Sequence, residues 1–454
     1  MATRRPHANQ RSRANVIDTR SAGDEPGPVT RRAPFSDNPN VGPRGQRTQQ
    51  RILDAALQVF GEEGYHRCSI DRIAKAADCS RVSFYQYFGS KEDVFRHLAG
   101  QVARQLGAAT EALEPLTPDA RGWATLGSWL ARQGDIYERY ESVYRVFPAA
   151  SESDEAIAVG SARYGERTVA RVRSRLATTD PPPRQLDLVI QRLLECRSQT
   201  LDIARLLRSA APDAYPRERI ECAMTDVFHR TLFGLMSDVN VHPPAKARPP
   251  RLDFDPTMLD LLQAGDHNAE VGGTGQRALT ALLDSGRDVF IQRGYYGTRV
   301  DDLAAAAGVS HGAFYRYFQN KDQLARILTV RAMRTVSSAF EELPELAVHD
   351  GAGGRAALRR WLRRYNATYS SEAAMLRVWV DAARHDAHLS AASAAPFDWA
   401  RRRIALFLRP RGFGDIEMEA VVMAGLLTAF GPEQRHADLT DATAYIIERG
   451  LLGR

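Results

Sequence analysis

Apolar and polar positions alternate from Gln46 with a period near 3.6 residues, and Ile52, Leu53, Ala56, Leu57, Val59 and Phe60 form a stripe that ends at Gly64. Residues three and four apart share one helix face, so this spacing predicts an amphipathic helix. Ser69 is placed to cap a second helix with Ile70, Ile73, Ala74 and Ala77 inward, which Asp78-Cys79-Ser80 then breaks. Ser80 caps a third helix carrying Phe84-Tyr85-Gln86-Tyr87-Phe88, and Gly89-Ser90-Lys91 opens a fourth. Short helices joined by a three-residue turn predict a helix-turn-helix. Amphipathic segments punctuated by prolines continue to about residue 238 with almost no strand signal, so the expected class is all-α.

The pattern then returns, shifted by 230 positions from Phe84 to Phe314. Gly64, Tyr65, Asp71, Ser80, Tyr85, Tyr87, Phe88 and Lys91 meet the same residue types at Gly294, Tyr295, Asp301, Ser310, Tyr315, Tyr317, Phe318 and Lys321. Solenoid units run to roughly 20–50 residues, so a period this long marks a duplicated domain. Beyond the heads the match resumes at an offset of 232: Trp129-Leu130 meets Trp361-Leu362, Tyr137 meets Tyr369, and Arg145-Val146-Phe147 meets Arg377-Val378-Trp379. Each half is therefore expected to be a head plus a helical body.

The third helix carries the chemistry. At about 100° per residue, Phe84 and Phe88 form its inner edge, while Val82, Ser83 and Gln86 point outward. Tyr85 and Tyr87 flank the inner edge with hydroxyls toward either side, and Lys91 adds a cation at the same rim. A short helix with small polar residues outward fits the ~12 Å major groove of DNA.

Composition changes this picture little. The 454 residues hold 61 Lys and Arg against 55 Asp and Glu, a net charge of +6 compatible with a polyanionic partner. Residues 1–45 place Arg4, Arg5, Arg11, Arg13, Arg20, Arg31 and Arg32 among Pro, Gly, Asn and Ser, which predicts a disordered basic tail. No apolar run approaches the roughly 18 residues of a membrane span and no secretory segment is evident, so the expected location is cytoplasmic. Cys68, Cys79, Cys196 and Cys222 lack CxxC spacing and read as reduced thiols. His385 and His388 lack a third ligand, and Gly272-Gly273-Thr274-Gly275 and Gly351-Ala352-Gly353-Gly354 lack the setting of a phosphate loop. With no GxSxG or HExxH, neither an enzyme, a metal nor a cofactor is expected.

The run Gly64-Tyr65, Ser69-Ile70-Asp71-Arg72-Ile73-Ala74, Ala77-Asp78-Cys79-Ser80, Phe84-Tyr85-Gln86-Tyr87-Phe88 and Lys91 resembles the TetR family of bacterial transcription regulators, and Gly294 to Lys321 does so equally. Two units in one Arg- and Ala-rich chain resemble the tandem TetR-type regulators of actinobacteria. After the basic tail at 1–45, the expected organisation is a first helix-turn-helix domain at 46–93 and a first regulatory and dimerisation domain at 94–238. A linker at 239–273, a second helix-turn-helix domain at 274–323 and a second regulatory domain at 324–454 would follow.

The resemblance implies DNA contacts at Ser69, Arg81, Val82, Ser83, Tyr85, Gln86, Tyr87 and Lys91. In the second copy they fall on Thr298, Arg299, His311, Gly312, Ala313, Tyr315, Arg316, Tyr317 and Lys321, with Arg299 departing from the capping serine. The tyrosines and lysines are expected on phosphates and Arg316 on a guanine, so both heads should dock alike and read different bases. Pairing of helices near 186–208 and 216–236 with helices near 415–430 and 438–452 would make an intramolecular pseudo-dimer on an asymmetric operator, with further homodimerisation open. An apolar or acyl effector would sit among Trp129, Tyr137, Tyr144 and Phe147, or among Trp361, Tyr365, Tyr369 and Trp379. The expected function is a ligand-responsive repressor; the alternative is a constitutive or architectural DNA-binding protein without an effector.

Overall fold

The computed structural model describes residues 42–65, 67–177, 183–242, 248–254, 273–343, 351–383, 387–429 and 436–454. Most of the expected basic tail, the linker patch Met258, Leu259, Leu261 and Leu262, and His385 lie outside them.

The first half runs α1 (Pro43–Glu63), α2 (Ile70–Ala76), α3 (Arg81–Tyr87), α4 (Lys91–Glu111), α5 (Ala120–Arg139), α6 (Glu141–Ser153), α7 (Glu155–Arg175), α8 (Pro183–Ala210) and α9 (Arg217–Phe233). The second runs α10 (Gly273–Gly297), α11 (Val300–Ala306), α12 (His311–Tyr317), α13 (Lys321–Glu341), α14 (Gly351–Ala383), α15 (Ala387–Leu408), α16 (Ile416–Thr428) and α17 (His436–Tyr445), with a π-helical turn over Ile446–Leu451. The chain is all-α: among the described residues the only β pairing is an isolated Leu116–Leu176 bridge. Helix α1 begins three residues before the apolar pattern predicts, because Pro43 stands in its first turn, where its fixed φ suits a helix and its missing N–H costs nothing.

The halves differ at one break. Tyr140 leaves helical geometry (φ −112, ψ 24) and separates α5 from α6, and its buried hydroxyl accepts a hydrogen bond from Gln105 Nε2 at 2.7 Å. At the equivalent offset of 232 stands Glu372, and there α14 continues unbroken for 33 residues.

Each head has its own apolar core, around Phe60, Phe84 and Phe88 in one and Phe290, Phe314 and Phe318 in the other. The two bodies share a third: Leu193, Leu207, Met224 and Phe228 pack with Met418, Val422, Leu426 and Ile446. Here α8 and α9 lie against α16, α17 and the π-turn. The approach is close. A Cβ on Gly425 would stand 2.7 Å from Thr200 N, and one on Gly450 would stand 2.7 Å from Val227 O, so only glycine fits at either position. Buried guanidiniums cross the seam. Arg192 donates to Leu426 O (2.9 Å), Ala429 O (3.0 Å) and Thr443 Oγ1 (3.1 Å), and Arg230 donates to Gly450 O at 2.7 Å. At the rim Arg219 pairs with Asp415 at 2.8 Å.

Candidate nucleic-acid interface

The recognition helices α3 and α12 are set by matching devices. Ser80 Oγ accepts from Ser83 N at 3.0 Å, and Ser310 Oγ accepts from Ala313 N at 3.2 Å, so each helix starts at a side-chain cap. The preceding turn needs a left-handed residue. Asp78 supplies φ 50 in the first copy and Gly308 φ 66 in the second. Phe84 and Phe88 are fully buried, as Phe314 and Phe318 are in the second head, and they pin the inner edge.

The outward face then follows. Arg81, Val82 and Gln86 are exposed, Val82 at 73%, with Ser83 half-buried beside them. The second head presents His311, Gly312 and Arg316 exposed, with Ala313 half-buried. Both copies brace the first residue of the helix against an acid on the helix before it: Arg81 Nη1 lies 3.2 Å from Asp71, and His311 Nδ1 contacts Asp301. The Arg81 guanidinium also covers the Tyr85 ring (5.7 Å to the centroid), and a hydrogen bond to Tyr85 with the charge of Asp71 holds its pKa above the ordinary value. His311 packs on Tyr315 at 5.2 Å. Tyr85, Tyr87 and Tyr317 are half-buried, whereas Tyr315 is 50% exposed; the phenols are shelved against the head core more than their position on the helix suggests.

Two expected phosphate contacts have other work. Lys91 Nζ donates to Tyr65 O (2.7 Å) and Cys68 O (3.3 Å) and sits 4.5 Å from the Tyr65 ring centroid. Lys321 repeats this on Tyr295 O (2.9 Å) and Thr298 O (2.8 Å), 4.6 Å from the Tyr295 ring. Each ammonium clamps the α4 or α13 start to the turn before α2 or α11. Burial holds the Lys321 pKa below the ordinary lysine value. Thr298 is buried and donates to Gly294 O at 2.7 Å, so its hydroxyl is internal. Arg299 stays exposed at the start of α11, and its backbone N–H is satisfied by Asp302 Oδ2 at 3.0 Å, a cap from the third helical residue instead of the first. Ser69 is exposed and accepts from Arg72 N at 3.3 Å.

In the bodies the expected effector side chains pack as core. Trp361, Tyr365 and Tyr369 stack in a column at 5.2 and 5.7 Å spacing, and Trp379 is buried. The Tyr137 and Tyr144 rings meet at a tilt with centroids 4.9 Å apart, and Tyr137 donates to Asp202, while Phe147 is half-buried at the head junction. A cavity beside Tyr137, Leu201 and Ile220 holds about 10 Å³, room for one water. The sequence reading missed Gln133. It is buried on the Trp129–Tyr137 face with neither amide atom hydrogen-bonded, and Trp129 Nε1 and Thr110 Oγ1 are also unpartnered. A lone glutamine within an apolar stripe was the available signal.

Residues 52–98 and 282–327 each match the family model described as bacterial regulatory proteins, tetR family. The HTH-type transcriptional repressor DhaR of Mycobacterium sp. (strain GP1) is 38% identical over 65 residues, 13% of this chain and 33% of its own length. The HTH-type transcriptional repressor AcnR of Corynebacterium efficiens is 28% identical over 162 residues, covering 34% of this chain and 82% of its own. A crystal structure of the TetR family transcriptional regulator PfmR from Thermus thermophilus aligns with 23% identity and a TM-score of 0.31, covering 40% of this chain and 97% of that one. The chain spans about a third of the length of several curated relatives it matches, DhaR among them.

Proposed function

Starting from a chain whose two heads belong to the tetR family of bacterial regulatory proteins, we propose that it is a sequence-specific DNA-binding transcription regulator reading an asymmetric operator with both heads. The observation that carries this is the contrast between copies. Caps, buried phenylalanines and lysine clamps repeat, while the exposed faces differ as Arg81, Val82 and Gln86 against His311, Gly312 and Arg316. Equal mounting with unequal outward chemistry suits two heads that dock alike and read different bases. Ser69, Tyr85 and Tyr87, with Arg299, Tyr315 and Tyr317, are the expected phosphate contacts, and Arg316 the expected guanine contact.

In this reading the α8–α9 and α16–α17 seam replaces the contact between separate subunits, making an intramolecular pseudo-dimer. The regulator is a repressor, and an apolar or acyl effector enters the first body. The unpartnered Gln133, Trp129 Nε1 and Thr110 support that placement, since buried polar groups without partners call for a missing one. The stacked Trp361–Tyr369 column favours a second reading for the second body, as a pairing surface only.

Selection of bound sequences from random duplexes tests the DNA reading. A bipartite site with unlike halves is expected; a palindrome filled by two chains through their first heads would overturn it. For the effector, compounds that raise the melting temperature should also release operator DNA. Stabilisation without release would leave the bodies as pairing surfaces.

A further inference from the structure

The geometry points to a transition-metal site on the first body, formed by Cys222, Asp226 and His242. Their ligand atoms, a thiol sulfur, a carboxylate oxygen and an imidazole nitrogen, lie within 4.8 Å of one another. His242 Nε2 stands 3.2 Å from Asp226 Oδ1. Metal–ligand bonds of about 2.0–2.3 Å put tetrahedral donors roughly 3.3–3.8 Å apart, so small side-chain rotations close the site.

Helix geometry supplies two of the ligands, since Cys222 and Asp226 are four residues apart on one face of α9. The third comes from the chain beyond the helix, sixteen positions after Asp226, a spacing that matches no metal motif. Asp226 is only 2% exposed, and its carboxylate accepts Trp123 Nε1 at 2.8 Å. That outer hydrogen bond orients a ligand in the way second-layer partners of metal sites do. The Trp123 ring meets the His242 ring edge-on at 5.9 Å and walls one side. The His242 ring is partly exposed, but its Nε2 is buried and has no hydrogen-bond partner, as a nitrogen waiting for a ligand would be. Sulfur with imidazole and one carboxylate suits zinc or a neighbouring first-row ion, not magnesium or calcium, which take oxygen ligands.

The site also sits where it can matter. His242 O accepts Gly414 N of the second half at 2.6 Å. A bound ion would tie α9 to the segment that carries this contact and so brace the seam. This assignment stands apart from the DNA-binding reading.

Cobalt(II) chloride titrated into the chelator-stripped full chain tests it, because a thiolate ligand gives cobalt a near-ultraviolet charge-transfer band. One equivalent should bind with that band. Cys222→Ser should abolish the band although Cys68, Cys79 and Cys196 remain, and His242→Gln should weaken binding at least about tenfold. Circular dichroism of the metal-free variants controls for folding, and zinc should raise the melting temperature of the parent more than that of either variant. Absence of saturable binding, a band that survives Cys222→Ser, or an isotherm unchanged in His242→Gln overturns the assignment.

Discussion

Arg230 and Glu419 form a fully buried ion pair, Nη2 to Oε2 at 2.5 Å, that joins α9 of the first half to α16 of the second. Arg411 donates to the same Glu419 oxygen at 2.6 Å, and Arg230 also reaches Asn240 O and Gly450 O. Burial pulls the Arg230 pKa below its ordinary value, with Glu419 opposing that shift. One carboxylate thus answers two guanidiniums in a buried seam.

Glu419→Ala should therefore leave two uncompensated buried cations and cost about 3–5 kcal/mol, seen as an early loss of helicity in denaturant. Replacing Arg230, Arg411 and Glu419 together by Met should cost much less, because no buried charge is then left without its partner. Equal losses for the single and triple variants would show that this charge cluster does not hold the seam.

A second prediction concerns acid. Buried His229 is satisfied as a neutral ring, with Nε2 3.0 Å from Thr117 O and Nδ1 3.0 Å from the Asn240 amide nitrogen. Desolvation depresses its pKa below 6.5. The unfolded chain then binds the proton more readily, so this contribution is full above about pH 6.5 and is lost as pH falls toward the folded value, at about 1.4 kcal/mol per unit of depression. His229→Gln should flatten the stability–pH curve between pH 7 and 5. A curve as steep as the parent's would remove His229 as the cause.

The lysine clamps separate stability from DNA contact. Lys91→Met should loosen the first head by about 1–3 kcal/mol by stripping the Tyr65 and Cys68 carbonyls of their donor. The slope of log affinity against log salt should stay that of the parent, since no phosphate contact is lost. A slope reduced by about one would return Lys91 to the phosphates.

Arg316→Ala should relax specificity at one base pair of the second half-site, with about 1–3 kcal/mol of discrimination lost and the salt slope nearly unchanged. A uniform loss across sequences would place Arg316 on the backbone.

The heads were legible because their signals are local. Ser80 and Ser310 cap the helices they precede, and Phe84 and Phe88 repeat on one face. Where a polar side chain finds its partner across the fold, periodicity is silent. Nothing near Lys91 in sequence shows that two carbonyls more than twenty residues earlier hold its ammonium. The burial of Thr298, the break at Tyr140 and the meeting of Cys222 with His242 belong to the same class. Gly425 is a further case: within α16 it looks like a helix-weakening residue, yet Thr200 of another helix leaves room for nothing larger.

The contact between α8 and α16 has unlike sides, Arg192 on one and the Leu426 and Ala429 carbonyls on the other, and both sides ride on one polypeptide. Such a joint cannot come apart on dilution. Occupancy of a DNA site bridged by both heads should rise with the first power of protein concentration, even when a cell holds only a few molecules.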